Sequence, residues 1–226
     1  MTSSIKAIFL DAAGTLMQVA EPVGQTYMRI CAARGIVGTA EAFEKGFRLA
    51  WKQHAPPFHP PRERSADDDK GWWFALFCGA VKYSACDTSD DQALGAAFDE
   101  AYRYFGTGSA WVLYPEVASC LEELAARRPL WVLSNFDRRL HGVLEDLGIR
   151  QHFQGVILSS EVGASKPHVR MFEAALNLAR SQPSECLHIG DEEEADGEGA
   201  RAAGLQVLIL KRPEVTLTAA LTKLGE

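Results

Sequence analysis

Positive charge is in short supply in this chain: 23 Lys and Arg stand against 30 Asp and Glu, a formal net charge of -7. Phosphate backbones are met by clustered Lys and Arg, so the balance argues against a nucleic-acid partner. Arg127, Arg128, Arg138 and Arg139 are close in sequence, but they fall at the end of one predicted helix and the start of the next. Cysteine is scarce and scattered. Cys31, Cys78, Cys86, Cys120 and Cys186 form no CxxC pair, and an odd set of this kind reads as reduced thiols in a cytoplasmic protein. Long apolar runs are missing as well. None approaches the ~20 residues that span a bilayer, and the run in MTSSIKAIFLD is too short for a signal peptide. Neither a repeat nor a low-complexity tract is present. Oligomeric state is left open.

What is present is an alternation. The chain has 226 residues, which suits one large domain or a domain with an insert and can bury roughly 70% of the unfolded surface. Short apolar runs at 5–10, 130–133, 155–158, 187–189 and 206–210 read as strands. Amphipathic segments at about 116–126, 138–147, 168–179 and 195–203 lie between the later ones. Continuous apolar strands alternating with helices predict an α/β fold, a doubly wound parallel sheet covered on both faces, with right-handed crossovers.

The region from Leu16 to about Ser109 breaks this rhythm. It has almost no strand signal, and helices are predicted from Pro22 to about Arg34 and over 40–53, 68–85 and 90–105. The proline-rich stretch from His54 to Pro61 is neither regular helix nor central strand. The expected organisation is a core of residues 1–16 and 109–226, with residues 17–108 as a helical cap over the strand tips. Asp67, Asp68 and Asp69 read as a solvated helix start. Trp51, Trp72 and Trp73 read as helix packing, His188 as a packed strand residue, and His54 and His59 are unassigned.

Four short motifs fall at predicted strand ends: DAAGTL with Asp11, LSNFD with Ser134 and Asn135, SKP with Lys166, and GDEEEAD with Asp191 and Asp196. Parallel strands bring such tips to one edge, where α/β proteins place their sites. A carboxylate attacks phosphorus only if the charges of both are offset. Lys166 supplies a point positive charge. Ser134, Asn135 and backbone amides near Gly14 and Thr15 are donors for phosphoryl oxygens. Asp11 and Asp191 suit one Mg2+, which takes a few carboxylates, a carbonyl and waters.

In this order the motifs resemble those of haloacid dehalogenase (HAD) superfamily hydrolases of the subfamily with a helical cap after the first motif (subfamily IA, C1-type cap). The cap start EPVGQTYMRICAARG and the pair Trp72-Trp73 are further similar to the group related to the rhythmically expressed gene 2 protein. The resemblance implies a Rossmann-like core and hydrolysis of a small phosphorylated molecule through a covalent intermediate on Asp11. It implies a metal shell of Asp11, Asp191 and the carbonyl of Ala13, phosphate contacts from Ser134 and Lys166, and Asp196 as an acid that holds the metal site or Lys166.

One position departs from the pattern. The phosphatases of this family carry an aspartate at position 13, as acid and then base, and here it is Ala13. That help is worth ~10²–10⁴-fold. Three readings follow: a weak or specialised phosphatase that favours good leaving groups or borrows an acid such as Asp137; a phosphonate-cleaving enzyme using a cap lysine, Lys52 or one of Lys45, Lys70 and Lys82; or a phosphate- or metal-binding module with little turnover.

Overall fold

The computed structural model describes residues 4–54, 69–86 and 90–225. Most of the proline-rich stretch, with His59, Asp67 and Asp68, lies outside them. The chain opens with β1 (Ala7–Leu10) and β2 (Met17–Val19). Four helices follow: α1 (Val23–Ala32), α2 (Ala40–Gln53), α3 (Lys70–Tyr83) and α4 (Asp91–Tyr104). After β3 (Trp111–Leu113) the chain alternates through α5 (Val117–Arg127), β4 (Leu130–Ser134), α6 (Arg139–Asp146) and β5 (Phe153–Leu158). It ends with α7 (Ser159–Val162), α8 (Val169–Ala179), β6 (Cys186–Gly190), α9 (Gly199–Ala202), β7 (Gln206–Ile209) and α10 (Thr218–Gly225).

Five strands form one parallel sheet in the order β5-β4-β1-β6-β7. Alternation along β1 shows why both faces are covered. Ile8 and Leu10 join a core with residues of α5, α6 and α10, while Ala7 and Phe9 join a second core with residues of α8 and α9. The sheet is therefore doubly wound, as the sequence pattern predicts. The chain moves outward from β1 through β4 to β5, then returns to the other side of β1 as β6. The tips of β1, β4 and β6 meet at that switch, the place where open α/β sheets bind ligands.

The helices α1–α4 share a core of their own, built on Tyr27, Phe43, Leu76 and Phe77. Thr39 and Asp90 cap α2 and α4 through their side chains. Asp69 precedes α3 but is 3% exposed, not solvated. The insert joins the sheet through a ribbon that the sequence pattern does not show: β2 pairs antiparallel with β3, Met17 opposite Leu113. Three-residue strands are too short to display alternation. A second difference lies at 193–198, where a π-helix replaces the first turn of the predicted helix. Its wide turn is marked by the Gly197 N–H reaching back to the Glu192 carbonyl at 3.2 Å. All five cysteines are free. Among the described residues no helix is long and apolar enough to cross a membrane.

Candidate active site

Asp11 follows β1 directly, its N–H held by the Ile189 carbonyl of the neighbouring strand at 2.9 Å. Its Oδ1 accepts from Ser134 Oγ and from Lys166 Nζ, each at 2.9 Å. Lys166 Nζ also donates to Asp196 Oδ1 at 2.5 Å. All four side chains are buried. Asp196 Oδ1 is shared with His188 Nε2 at 2.8 Å, and its Oδ2 accepts the Glu192 N–H at 3.1 Å. Asp191 Oδ1 accepts from the Thr15 hydroxyl at 3.1 Å.

The loop after Asp11 is shaped by Gly14. Its φ of +88° is left-handed, and a Cβ there would lie 2.3 Å from Asp191 Oδ2. The Gly14 amide is one of the donors that the motifs offer to a substrate. In the structure it donates to the Met17 carbonyl at 2.7 Å and so closes the turn. The Thr15 hydroxyl, which the expectation for its backbone amide does not involve, bonds Asp191. Asn135 is also turned to internal use: its amide bonds the main chain of Lys166 at both ends. Ser134 and Lys166 are the predicted donors that reach Asp11.

The charges explain the perturbed acids. Burial pushes the Asp11 carboxyl above its ordinary range; Lys166 opposes this, and Asp196 and Asp191 add to it. Burial, with Asp196 nearby, raises Asp191 as well. Burial acts to raise Asp196 too, but Lys166 and the His188 hydrogen bond outweigh it and hold that carboxyl below its usual range. Burial draws the Lys166 ammonium down, and the flanking Asp11 and Asp196 more than reverse this, so its proton is tightly held. Ligand oxygens of Asp11, Asp191 and Asp196 lie within 4.8 Å of one another. Three carboxylates against one ammonium leave two negative charges unmatched, a donor set that fits a divalent cation. Asp11 and Asp191 are the carboxylates with capacity to spare, since both oxygens of Asp196 already accept hydrogen bonds.

Asp137, the acid expected to be borrowed in place of a carboxylate at 13, is fully engaged. Its Oδ1 accepts from Arg139 N and Nε at 3.0 and 2.8 Å. Its Oδ2 accepts from Arg139 Nη2 at 2.7 Å and from Trp73 Nε1 at 2.9 Å. The Arg139 guanidinium stacks 3.6 Å from the Tyr102 ring. This cluster joins the β4 loop to α3 and α4. Among the described residues, the lysine bonded to Asp11 is Lys166; Lys70 of the insert pairs with Asp99 at 3.0 Å.

Arg212 and His188 make contacts that the sequence pattern does not show. Arg212 donates to the Thr15 carbonyl at 2.8 Å and to Glu116 Oε1 at 2.6 Å, while stacking on Tyr114. Nothing local marks it, because it lies 197 positions from Thr15. His188 is packed in its strand as the sequence pattern predicts; the bond of its Nε2 to Asp196 is what that pattern leaves out.

A doubly wound sheet whose tips gather carboxylates around one lysine and one serine defines a Rossmann-like hydrolase. The family description "haloacid dehalogenase-like hydrolase" matches residues 5–204, and the chain belongs to that family. The human haloacid dehalogenase-like hydrolase domain-containing protein 3 is 30% identical over 211 residues, 93% of this chain and 83% of its own. The rhythmically expressed gene 2 protein of Drosophila melanogaster is 27% identical, over 89% of this chain and 81% of its own. A protein of Bacillus subtilis, crystallised bound to magnesium, has the same fold, with a TM-score of 0.74 at 14% identity over 99% of this chain and 100% of its own.

Proposed function

We propose that the protein is a Mg2+-dependent phosphatase-type hydrolase acting on a small phosphorylated molecule through an aspartyl-phosphate on Asp11. The observation that carries this reading is the one-sided dress of the Asp11 carboxylate. Ser134 and Lys166 both bond Oδ1, which leaves Oδ2 as the attacking atom. The Oδ2–phosphorus bond forms as the bond from phosphorus to the leaving oxygen breaks; water then attacks phosphorus and restores the carboxylate. Ser134 and Lys166 orient Asp11 and stand beside the incoming phosphoryl oxygens. A magnesium ion held by Asp11, Asp191 and the Ala13 carbonyl would offset the charge that Lys166 leaves unmatched.

No carboxyl stands at position 13, and Asp137 is bound to Arg139 and Trp73. Leaving groups that depart without a proton, such as the carboxylate of an acyl phosphate, are therefore favoured over alkoxides. Residues 1–16 and 109–226 serve as the core, and residues 17–108 as a cap that excludes water; the Bacillus relative is described as showing interdomain movement. Five unpaired cysteines suit the cytoplasm.

Phosphate release from esters, acyl phosphates and phosphonates, with and without Mg2+, tests the reading. Metal-dependent release that disappears in Asp11→Asn is expected, with acyl phosphates fastest. No release across the panel would mean a binding module instead.

A further inference from the structure

His188 lies in the middle of β6, opposite Phe9 of β1 and Val207 of β7. Its neighbours Leu187 and Ile189 face one core, and His188 points to the other side, edge-on to Phe172 with centroids 5.7 Å apart. It is 0% exposed. Packing alone would be served as well by a leucine. The imidazole instead brings a sealed Nδ1 with no hydrogen-bond partner, which costs free energy and calls for a return.

The return is at the other nitrogen. Nε2 lies 2.8 Å from Asp196 Oδ1. A carboxylate only accepts, so Nε2 carries the proton and donates it. That same oxygen takes Lys166 Nζ, which continues to Asp11. Gly190 makes room for the arrangement, since a Cβ there would lie 2.1 Å from Asp196 Cγ.

We propose that His188 is a positioning residue which, through Asp196, aims the Lys166 ammonium at Asp11. Its catalytic consequence rests on the proposed role of Asp11 as nucleophile. With the imidazole donor gone, Asp196 keeps the Glu192 N–H and Lys166 but loses the bond that fixes Oδ1 from the sheet side.

The test compares His188→Leu, which lacks a donor, with His188→Gln, whose amide nitrogen reaches about as far as Nε2. Two readouts are taken on the full chain. One is turnover of the best compound in the phosphate panel, expected to fall about tenfold or more in kcat with KM little changed in the leucine variant. The glutamine variant is expected to recover most of it. The other is the 15N-resolved signal of the Lys166 ammonium, which its burial and two carboxylate partners are expected to protect from solvent exchange in the wild type. It is expected to broaden or shift with leucine and to persist with glutamine. An unchanged Lys166 signal in His188→Leu, with turnover within twofold of wild type, would overturn the proposal. If the leucine variant does not fold, His188→Asn replaces it, because its shorter amide stops short of Asp196; equal behaviour of the asparagine and glutamine variants would then overturn it. Absence of turnover in the wild type would sink the phosphatase reading alone, since the Lys166 signal still decides the positioning.

Discussion

Asn135 and Lys166 exchange two hydrogen bonds: the Lys166 N–H donates to Asn135 Oδ1 at 2.6 Å, and Asn135 Nδ2 donates to the Lys166 carbonyl at 3.0 Å. The tip of β4 thereby fixes the main chain that carries the site lysine, across 31 positions of sequence. Asn135→Ala leaves both main-chain groups of Lys166 without these partners. A loss of about 1–3 kcal/mol in urea unfolding is expected, with a fall in kcat and an unchanged affinity for Mg2+.

Lys166→Met removes the cation between two buried carboxylates. Breaking such a pair costs about 3–5 kcal/mol. The sign with pH follows from the carboxyls. Asp196 is held below its unfolded value by Lys166, so its contribution is present above the ordinary carboxylate range and fades as pH falls through the native value. Asp11, already raised with the lysine in place, rises further without it. The gap in stability between variant and wild type is therefore expected to be full at neutral pH and to shrink on acidification. A gap that does not change between neutral and acid pH would contradict this account.

The unmatched charge at Asp11 and Asp191 is expected to make the fold responsive to metal, as the proposed function requires. Mg2+ at about a hundred times its dissociation constant would stabilise by about 2.7 kcal/mol, or roughly 5–10 °C in Tm for a chain of this size. The shift is expected to vanish with EDTA and to be largely lost in Asp191→Asn, as scanning calorimetry would show.

Arg139 connects the β4 loop to the insert through Asp137, Trp73 and Tyr102. Arg139→Ala removes both guanidinium bonds to the Asp137 carboxylate and leaves it the Trp73 N–H and the main-chain N–H of residue 139. A destabilisation of about 3 kcal/mol is expected, accompanied by a change in tryptophan fluorescence. Trp73→Phe, which keeps a ring but loses the N–H, is expected to cost less. Equal costs would place the value of the cluster in the indole bond and not in the guanidinium.

An alanine at 13 can be reversed. If the site lacks only its proton donor, Ala13→Asp is expected to raise turnover of phosphate esters by ~10²-fold or more, with a smaller effect on acyl phosphates. A steady-state comparison of the two substrate classes reads the difference directly.

The sheet was legible in the sequence because its central strands β1, β4 and β6 are buried on both faces and so appear as unbroken apolar runs, each ending in a polar motif at its tip. That Asp11, Ser134 and Asp191 gather follows from the parallel order of β1, β4 and β6, and the family from the motifs in series; Lys166 was expected at a strand end but lies in the loop between α7 and α8, and reaches Asp11 only through the packing of that loop. The β2–β3 ribbon was not legible, since three residues carry no period. The amide of Gly14, the side chain of Asn135 and the carboxylate of Asp137 each looked available to a substrate, because a sequence shows which groups donate and accept but not which partner has taken them. Tertiary structure settled those commitments. It also placed His188 behind Asp196, through the turn that follows β6, and Arg212 behind Thr15, 197 positions away; both pairings depend on how the strands and loops pack and not on any local pattern.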